Sequence, residues 1–562
     1  MKKFRNSILA VLLSLPLLVS AQSLDKAPND WHHLDAGKDG ISGVSTEQMY
    51  ADMKGKKAKT VIVAVIDSGV DAEHEDLKDV MWVNIDEIPG NGIDDDKNGY
   101  IDDVHGWNFI GGKDGKNVHH DNLEITRLYR DLDKKYSNAT ASNLSKKEKK
   151  EYEKYKKMGE TIKEKQEENA GNVMLYQGLL DAVTKLEMEI GKEDITKEDL
   201  ENFESDDPMI SRAAAILTNV LGQGGDLKGF KKQVEGGVKH FSSQVDYYYN
   251  PDFDPRKIVG DNYRDTYQKV YGNNNVEGPD AGHGTHVAGI IAATRGNGVG
   301  MDGIAKNARI MSIRTVPDGD ERDKDVANAI IYAVDNGASI INMSFGKGYS
   351  YDKEAVDKAV KYAYKNDVLL VHAAGNSNQD NDGNDNFPND KYQKRGLFKP
   401  KMAKNWLEIG ALSWKSGEDA PAVFSNYGKD NVDIFSPGVD IYSTTPDDKY
   451  EHFDGTSMAA PVTAGIAAAI RGYYPELSAE QIKDAIMRSA VKVNQSVKKP
   501  GTDTMVPFSD LCRTGGVVNA KKAMKLASTM KGKSKKAKKW KSASGVSGGS
   551  GSGGSDKKPG RA

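Results

Sequence analysis

The sequence predicts an α/β protein: a doubly wound, mostly parallel sheet with helices on both faces and a large helical insertion. Three observations support this. Continuous apolar, β-branched runs recur at 60–66, 310–316, 338–345 and 368–374. A run apolar at nearly every position is a strand buried on both faces, as in a parallel sheet. Helical patterns lie between and after these runs, at 324–336, 352–366 and 478–489, and such alternation builds a sheet covered on both sides. The third observation is an interruption: residues 121–279 are charged and mostly helical in propensity. Sites in doubly wound sheets gather at the carboxyl ends of the strands, so the residues that follow the runs are the informative ones.

In chain order, residues 1–21 read as an export signal. Lys2, Lys3 and Arg5 precede an apolar stretch at 8–19, and Val19-Ser20-Ala21 is a small-residue cleavage site. The stretch is shorter than the ~20 residues that span a bilayer. The expected location is therefore periplasmic or extracellular, with no transmembrane anchor. Residues 22–59 form an N-terminal segment. Residues 60–120 and 280–530 are the two parts of the α/β domain, separated by the insertion at 121–279. Within the insertion, 146–168 is nearly all polar, as in a solvated helix. Residues 531–562 turn lysine-rich and then Gly/Ser-rich, as in a disordered tail.

The composition narrows the function classes. Of 562 residues, 38% are hydrophobic and 28% charged, which allows a sizeable core. Lys+Arg 78 against Asp+Glu 82 gives a net charge of −4, so global charge gives no reason to expect a nucleic-acid partner. The single cysteine, Cys512, excludes an internal disulfide framework and a CxxC-type zinc site.

Three segments bear chemistry: Asp67-Ser68-Gly69 at the end of the first run, Gly282-His283-Gly284-Thr285-His286, and Gly455-Thr456-Ser457-Met458-Ala459. An alcohol nucleophile needs a base within hydrogen-bond reach, and the base needs a carboxylate to fix its tautomer. Taken singly, the aspartate reads as a helix cap, the histidine as structural and the serine as an N-cap. Together, in the order Asp, His, Ser and each within an extended motif, they read as a nucleophilic triad. Small residues after Ser457 indicate a tightly packed helix whose positive end faces charge developing on a substrate carbonyl.

On these motifs the chain resembles the subtilisin-like serine proteases, the subtilases, over roughly 60–103 and 282–527. The resemblance implies Asp67 as orienting carboxylate, His283 as general base and Ser457 as nucleophile, with His286 structural. Val371-His372-Ala373-Ala374-Gly375-Asn376 also matches. It implies that the Asn376 side chain and the Ser457 N–H stabilise the oxyanion of a tetrahedral intermediate. Ile341-Asn342-Met343-Ser344-Phe345-Gly346 resembles the strand that pairs with an extended substrate. Ser344, Phe345 and Gly346 would then form, with Ala374 and Gly375, the walls of the pocket for the residue before the scissile bond. Asp380, Asp382, Asp385 and Asp390 follow in one loop; it reads either as a bias of that pocket towards basic residues or as a solvated surface loop.

A calcium ion is expected as a structural cofactor. Residues 94–103 read D-x-D-x-N-G-x-x-D, and oxygen donors at alternate positions around a glycine turn suit calcium. Asp94, Asp96, Asn98 and Asp102 are the candidate ligands; His105 stands where an EF-hand has its glutamate, so Asp103 or water would complete the set. The bland reading is an acidic turn. The resemblance implies a second site at Asp76 and Asn297. The expected function is a secreted serine endopeptidase acting on protein or peptide substrates through an acyl-enzyme. A catalytically silent binding protein and an esterase or transpeptidase are the alternatives. The insertion is the main departure from the resembled family, and its helices are expected beside or over the substrate cleft, or else as a peripheral ornament.

Overall fold

A computed structural model describes residues 26–192, 194–393 and 401–533. The export signal at 1–21 and the tail beyond residue 533 lie outside the described residues. The strands that bear on function are β1 (Val61–Asp67), β2 (Gly106–Asn108), β3 (Ala308–Arg314), β4 (Ile340–Met343), β5 (Leu369–Ala373), β6 (Trp406–Leu412) and β7 (Ile434–Pro437). They belong to a nine-stranded sheet in the order β7-β6-β5-β4-β1-β3-β2, extended beyond β7 by the short strands Gly516–Val517 and Val491–Lys492. Every pairing from β2 to β7 is parallel, with Val63 of β1 opposite both Ile310 and Ile340. This is the α/β, mostly parallel architecture that the apolar runs predict.

The helices are α1 (Thr46–Asp52), α2 (Glu124–Tyr136), α3 (Lys146–Ile190), α4 (Lys197–Glu201), α5 (Pro208–Gly222), α6 (Leu227–Ser243), α7 (Gly282–Ala292), α8 (Asp323–Asp335), α9 (Lys353–Lys365) and α10 (Thr456–Tyr473). Side chains alternate between the two faces of the sheet, so each strand feeds two cores. Val61, Val63 and Val65 pack with Val287, Ile291, Val462 and Ile466 of α7 and α10. Ala64 and Ile66 pack with Val326, Ile330, Val356 and Val360 of α8 and α9. The N-terminal segment joins the first core: Trp31, Val44 and Met49 are fully buried there. The Trp31 indole N–H is shared between the Val439 and Asp440 carbonyls at 3.1 and 3.2 Å.

The insertion has a core of its own, built from Val183, Leu186, Ala213, Leu217, Phe230 and Val234 among others of α3, α5 and α6. The 45-residue α3 starts at a capping box between Ser145 and Glu148 and ends at Gly191 in the left-handed conformation. Its polar first half is not wholly solvated, because Tyr155 stacks on Tyr129 of α2 and donates to Asp133 at 2.7 Å. The helices leave and rejoin the sheet at one place, the carboxyl end of β3. Asp121 N–H donates to the Asp318 carbonyl at 2.9 Å, and Tyr248 meets Asp318 through its hydroxyl. Arg322 forks onto both Asp121 oxygens at 2.7 and 2.9 Å. After Tyr248 the chain returns to the main domain, where Val259 and Tyr271 join the second core and Asn273 pairs with Asn108.

Candidate active site

Asp67 ends β1, His283 opens α7, Asn376 follows β5 and Ser457 opens α10. Asp67 is 1% exposed; its Oδ1 accepts the Ser68 N–H at 2.8 Å and pairs with His283 Nδ1 at 2.6 Å. Its Oδ2 is buried without a hydrogen-bond partner among the described residues, so the imidazole is the main balance for the carboxylate charge. Burial acts against a charged His283, but the adjacent Asp67 charge and hydrogen bond outweigh it and raise the histidine above its ordinary pKa. Gly284 makes this approach possible: a Cβ there would lie 2.0 Å from the Gly69 carbonyl oxygen and would push α7 off the end of β1.

Asn376 is oriented by its carbonyl. Asn376 Oδ1 accepts the Thr456 N–H at 2.9 Å and the Thr456 hydroxyl at 2.8 Å, and that hydroxyl also accepts the Gly375 N–H at 3.1 Å. The amide nitrogen is therefore turned the other way. Gly455, at φ 158°, marks where it points: a Cβ on Gly455 would stand 3.4 Å from Asn376 Nδ2, 3.4 Å from Ser457 N and 3.5 Å from Ser457 Cβ. Two N–H donors thus flank the empty space beside the serine, the geometry needed to stabilise an oxyanion.

The structure does not hydrogen-bond Ser457 to His283. The Ser457 hydroxyl donates to the Ser344 carbonyl at 3.0 Å, and the Ser344 hydroxyl donates back to the Ser457 carbonyl at 2.8 Å. This exchange fixes the end of β4 beside the serine. Engaging the base requires the Ser457 hydroxyl to leave the Ser344 carbonyl, and such contacts are often loose before substrate binds. Beyond Phe345 and Gly346, Lys347 exchanges both backbone bonds with Phe387, at 2.9 and 2.8 Å. Ala374 and Gly375 lie at the end of the neighbouring β5, so the residues expected to form the pocket walls come together. His286 lies apart from the reacting groups: Nε2 meets the Glu451 carbonyl at 3.1 Å, the ring stacks on Phe453, and burial lowers its pKa to about 3.

The acidic loop divides its candidates. Asp94 accepts the Asn98 and Gly99 N–H groups at 3.0 and 2.8 Å, and Asp102 accepts those of Asn91 and Gly92 at 3.1 and 2.9 Å. Both hold the loop in shape. Asp96 accepts the Asn98 N–H at 2.8 Å and Glu87 those of Asp95 and Asp102, both at 3.0 Å, but these two also cluster with Asp103, each offering a carboxylate oxygen within 4.8 Å of the others. Asn98 bridges Asp96 and Asp103 through its amide at 3.0 and 3.1 Å. Burial pushes Asp103 up to about 6, against hydrogen bonds from Tyr332, Asn84 and Asn98. Asp76 and Asn297 also meet, with Asn297 Nδ2 donating to Asp76 Oδ1 at 2.7 Å.

Residues 58–509 match the Subtilase family. The chain belongs to the subtilase family. It is 36% identical over 248 residues to the thermophilic serine proteinase of Bacillus sp. (strain AK1), a match covering 44% of this chain and 54% of that enzyme. It is 35% identical to subtilisin DY of Bacillus licheniformis over 38% of this chain and 72% of that enzyme. It is 33% identical to thermitase of Thermoactinomyces vulgaris over 42% of this chain and 79% of that enzyme. This subtilase therefore spans about half to four-fifths of these relatives' length.

Sequence reasoning missed Thr456 as the residue that orients Asn376, although it lies within the Gly455–Ala459 motif. It also missed Glu87, Asn386 and Lys347, which carry no local pattern.

Proposed function

We propose that this subtilase is a secreted serine endopeptidase that hydrolyses peptide bonds through an acyl-enzyme. The observation that supports it most is the Asp67–His283 bond at 2.6 Å beside a serine flanked by the N–H groups of Asn376 and Ser457. In the first step His283 takes the Ser457 proton as the oxygen attacks the scissile carbonyl. Asp67 stabilises the imidazolium, and Asn376 and the Ser457 N–H hold the oxyanion. His283 then gives the proton to the leaving amine, and a water repeats the sequence to release the acid. Phe345 and Gly346 take the substrate as an added strand. The substrates are proteins or peptides, and the place of action is the periplasm or the exterior. No helix among the described residues is long and apolar enough to cross a membrane.

The oxygen-only cluster of Glu87, Asp96 and Asp103 suits a hard cation, and calcium is the one proposed there. Bound calcium would neutralise buried charge and lock the loop; Asp76 and Asn297 are proposed as the second, weaker site. The insertion is proposed to border the cleft, because its roots hold residues 318–323. Digestion of a peptide library by the enzyme and by Ser457→Ala, read by mass spectrometry, tests the function. New peptide termini in the wild-type digest alone are expected; identical digests would overturn the reading. Replacing residues 124–243 with a short Gly/Ser bridge tests the bordering role: an unchanged ratio of small-peptide to protein cleavage would refute it.

A further inference from the structure

The pocket walls proposed above share a floor. A Cβ on Gly346 would stand 2.5 Å from Asn386 Oδ1, and one on Gly375 would stand 3.7 Å from Asn386 Nδ2. The Asn386 amide thus fills the space a Gly346 side chain would take and reaches towards Gly375, whose own side-chain space is met first by Asn426 Nδ2 at 2.5 Å. The orientation of Asn386 is set, because its Nδ2 donates to the Ala374 and Ala373 carbonyls at 3.0 and 3.3 Å. Oδ1 faces Gly346 and receives no hydrogen bond among the described residues. The floor therefore offers an acceptor to whatever enters.

A polar cavity of about 20 Å³, the room of roughly one water, lies behind that amide. Asp385, Asn386, Asn389, Asp390, Lys391 and Glu408 are among its lining residues. Asn389 Oδ1 is buried there without a partner among the described residues. Of the acidic groups in the 377–390 loop, Asp380 caps the Asp382 N–H at 2.9 Å, and Asp382 accepts from the Asp430 and Asn431 N–H groups at 3.1 and 2.9 Å. Glu408 is held by His372 at 3.0 Å and Trp406 at 2.7 Å. Neither Asp385 nor Asp390 has a carboxylate hydrogen bond or ion pair among the described residues; Asp385 is exposed, whereas Asp390 is partly buried. Burial, with Glu408 and Asp433 nearby, pushes it up to about 6. Among the described residues nearby, Lys483 and Arg513 form their ion pairs with Asp433, at 3.0 and 2.9 Å, and only partly offset the charge on Asp390.

We infer that the pocket is built for a basic side chain, with Asn386 Oδ1 taking the first hydrogen bond and Asp390 supplying the counter-charge behind it. This rests on the protease reading and names its substrate class. A lysine or arginine brings the donors and the positive charge that both groups lack. An aliphatic side chain would bury Asn386 Oδ1 unpaired, and sites built around buried polar groups reject partners that leave them unmet.

The test is kcat/KM for a matched peptide series with Lys, Arg, Leu or Phe before the scissile bond. Wild type is expected to favour Lys and Arg over Leu at least tenfold. Asp390→Asn, which keeps the shape, should cut the Lys-to-Leu ratio at least tenfold, and Asn386→Leu should reverse the preference. Fluorophosphonate labelling and a thermal melt of each variant establish that it is folded and active. An enzyme that labels and cleaves but prefers Leu or Phe overturns the pocket inference alone, as does an Asp390→Asn variant with an unchanged ratio. An enzyme that neither labels nor cleaves any peptide overturns the protease reading itself.

Discussion

Lys347 is the most informative residue to perturb outside the reacting groups. It directly follows the pocket wall at Gly346, and its side chain is 1% exposed. Its ammonium lies 2.8 Å from Glu124 of α2 and 2.8 Å from Asp323 of α8, and donates to the Glu321 carbonyl at 2.7 Å. Glu124 is itself fully buried, and despite that burial Arg127 and Lys347 hold its pKa down to about 2. Lys347→Met keeps most of the volume and removes the charge. Breaking a buried pair on one side costs about 3–5 kcal/mol because the partner charge is left uncompensated. Glu124 retains Arg127 at 2.7 Å, and Asp323 retains the Ser350 hydroxyl and the Asp352 N–H, both at 2.6 Å. The lower end, about 3 kcal/mol, is therefore expected. Denaturant unfolding in a Ser457→Ala background, which prevents self-digestion, measures it, and hydrogen exchange should show α2 and residues 318–323 opening first. Adding Glu124→Gln should recover part of the loss, since it removes one stranded charge. A loss below about 1 kcal/mol, or losses that simply add, would refute the idea that this cluster ties the insertion to the cleft wall.

Three further outcomes follow from the site. Asn376→Ala should lower kcat by about 10²–10³, the scale known for an oxyanion donor in subtilisin, with little change in KM; a change confined to KM would remove the oxyanion role. His283 must be neutral to act as base, and its pKa is raised. The acid limb of kcat/KM should therefore lie above pH 6.5, with activity gained as pH rises through it, and Asp67→Asn should move the limb down while lowering the plateau. Chelation should lower the melting temperature, since a cation bound only to the folded state at a hundredfold excess over Kd contributes about 2.7 kcal/mol. Asp96→Asn with Asp103→Asn should blunt that response, and an unchanged melt in chelator would exclude the cation site.

The candidate reacting groups were legible because each sits in a short contiguous motif rich in glycines and small residues. Gly284 beside His283 is explained by a contact closer than any side chain allows, and Gly455 just before Ser457 by its positive φ of 158°. The parallel sheet was legible from runs such as 60–66, because burial on both faces removes polar residues from every position. What stayed hidden was long-range. Lys347 reads as an ordinary loop lysine until Glu124, 223 positions away, is folded against it. Glu87 falls outside the alternating pattern that singled out Asp94 and Asp96, and only the fold of the loop brings it to Asp96 and Asp103. Asn386 has no pattern at all; its place is defined by Gly346 and Gly375, which follow different strands.

Everything proposed for the site depends on Ser457 being a nucleophile activated by His283. The most direct test of this is exposure of the folded enzyme to a fluorophosphonate, followed by peptide mapping. One adduct is expected, on Ser457, formed slowly or not at all in His283→Ala and absent in Ser457→Ala. A folded wild-type enzyme that stays unlabelled, or carries its adduct on another residue, would contradict it.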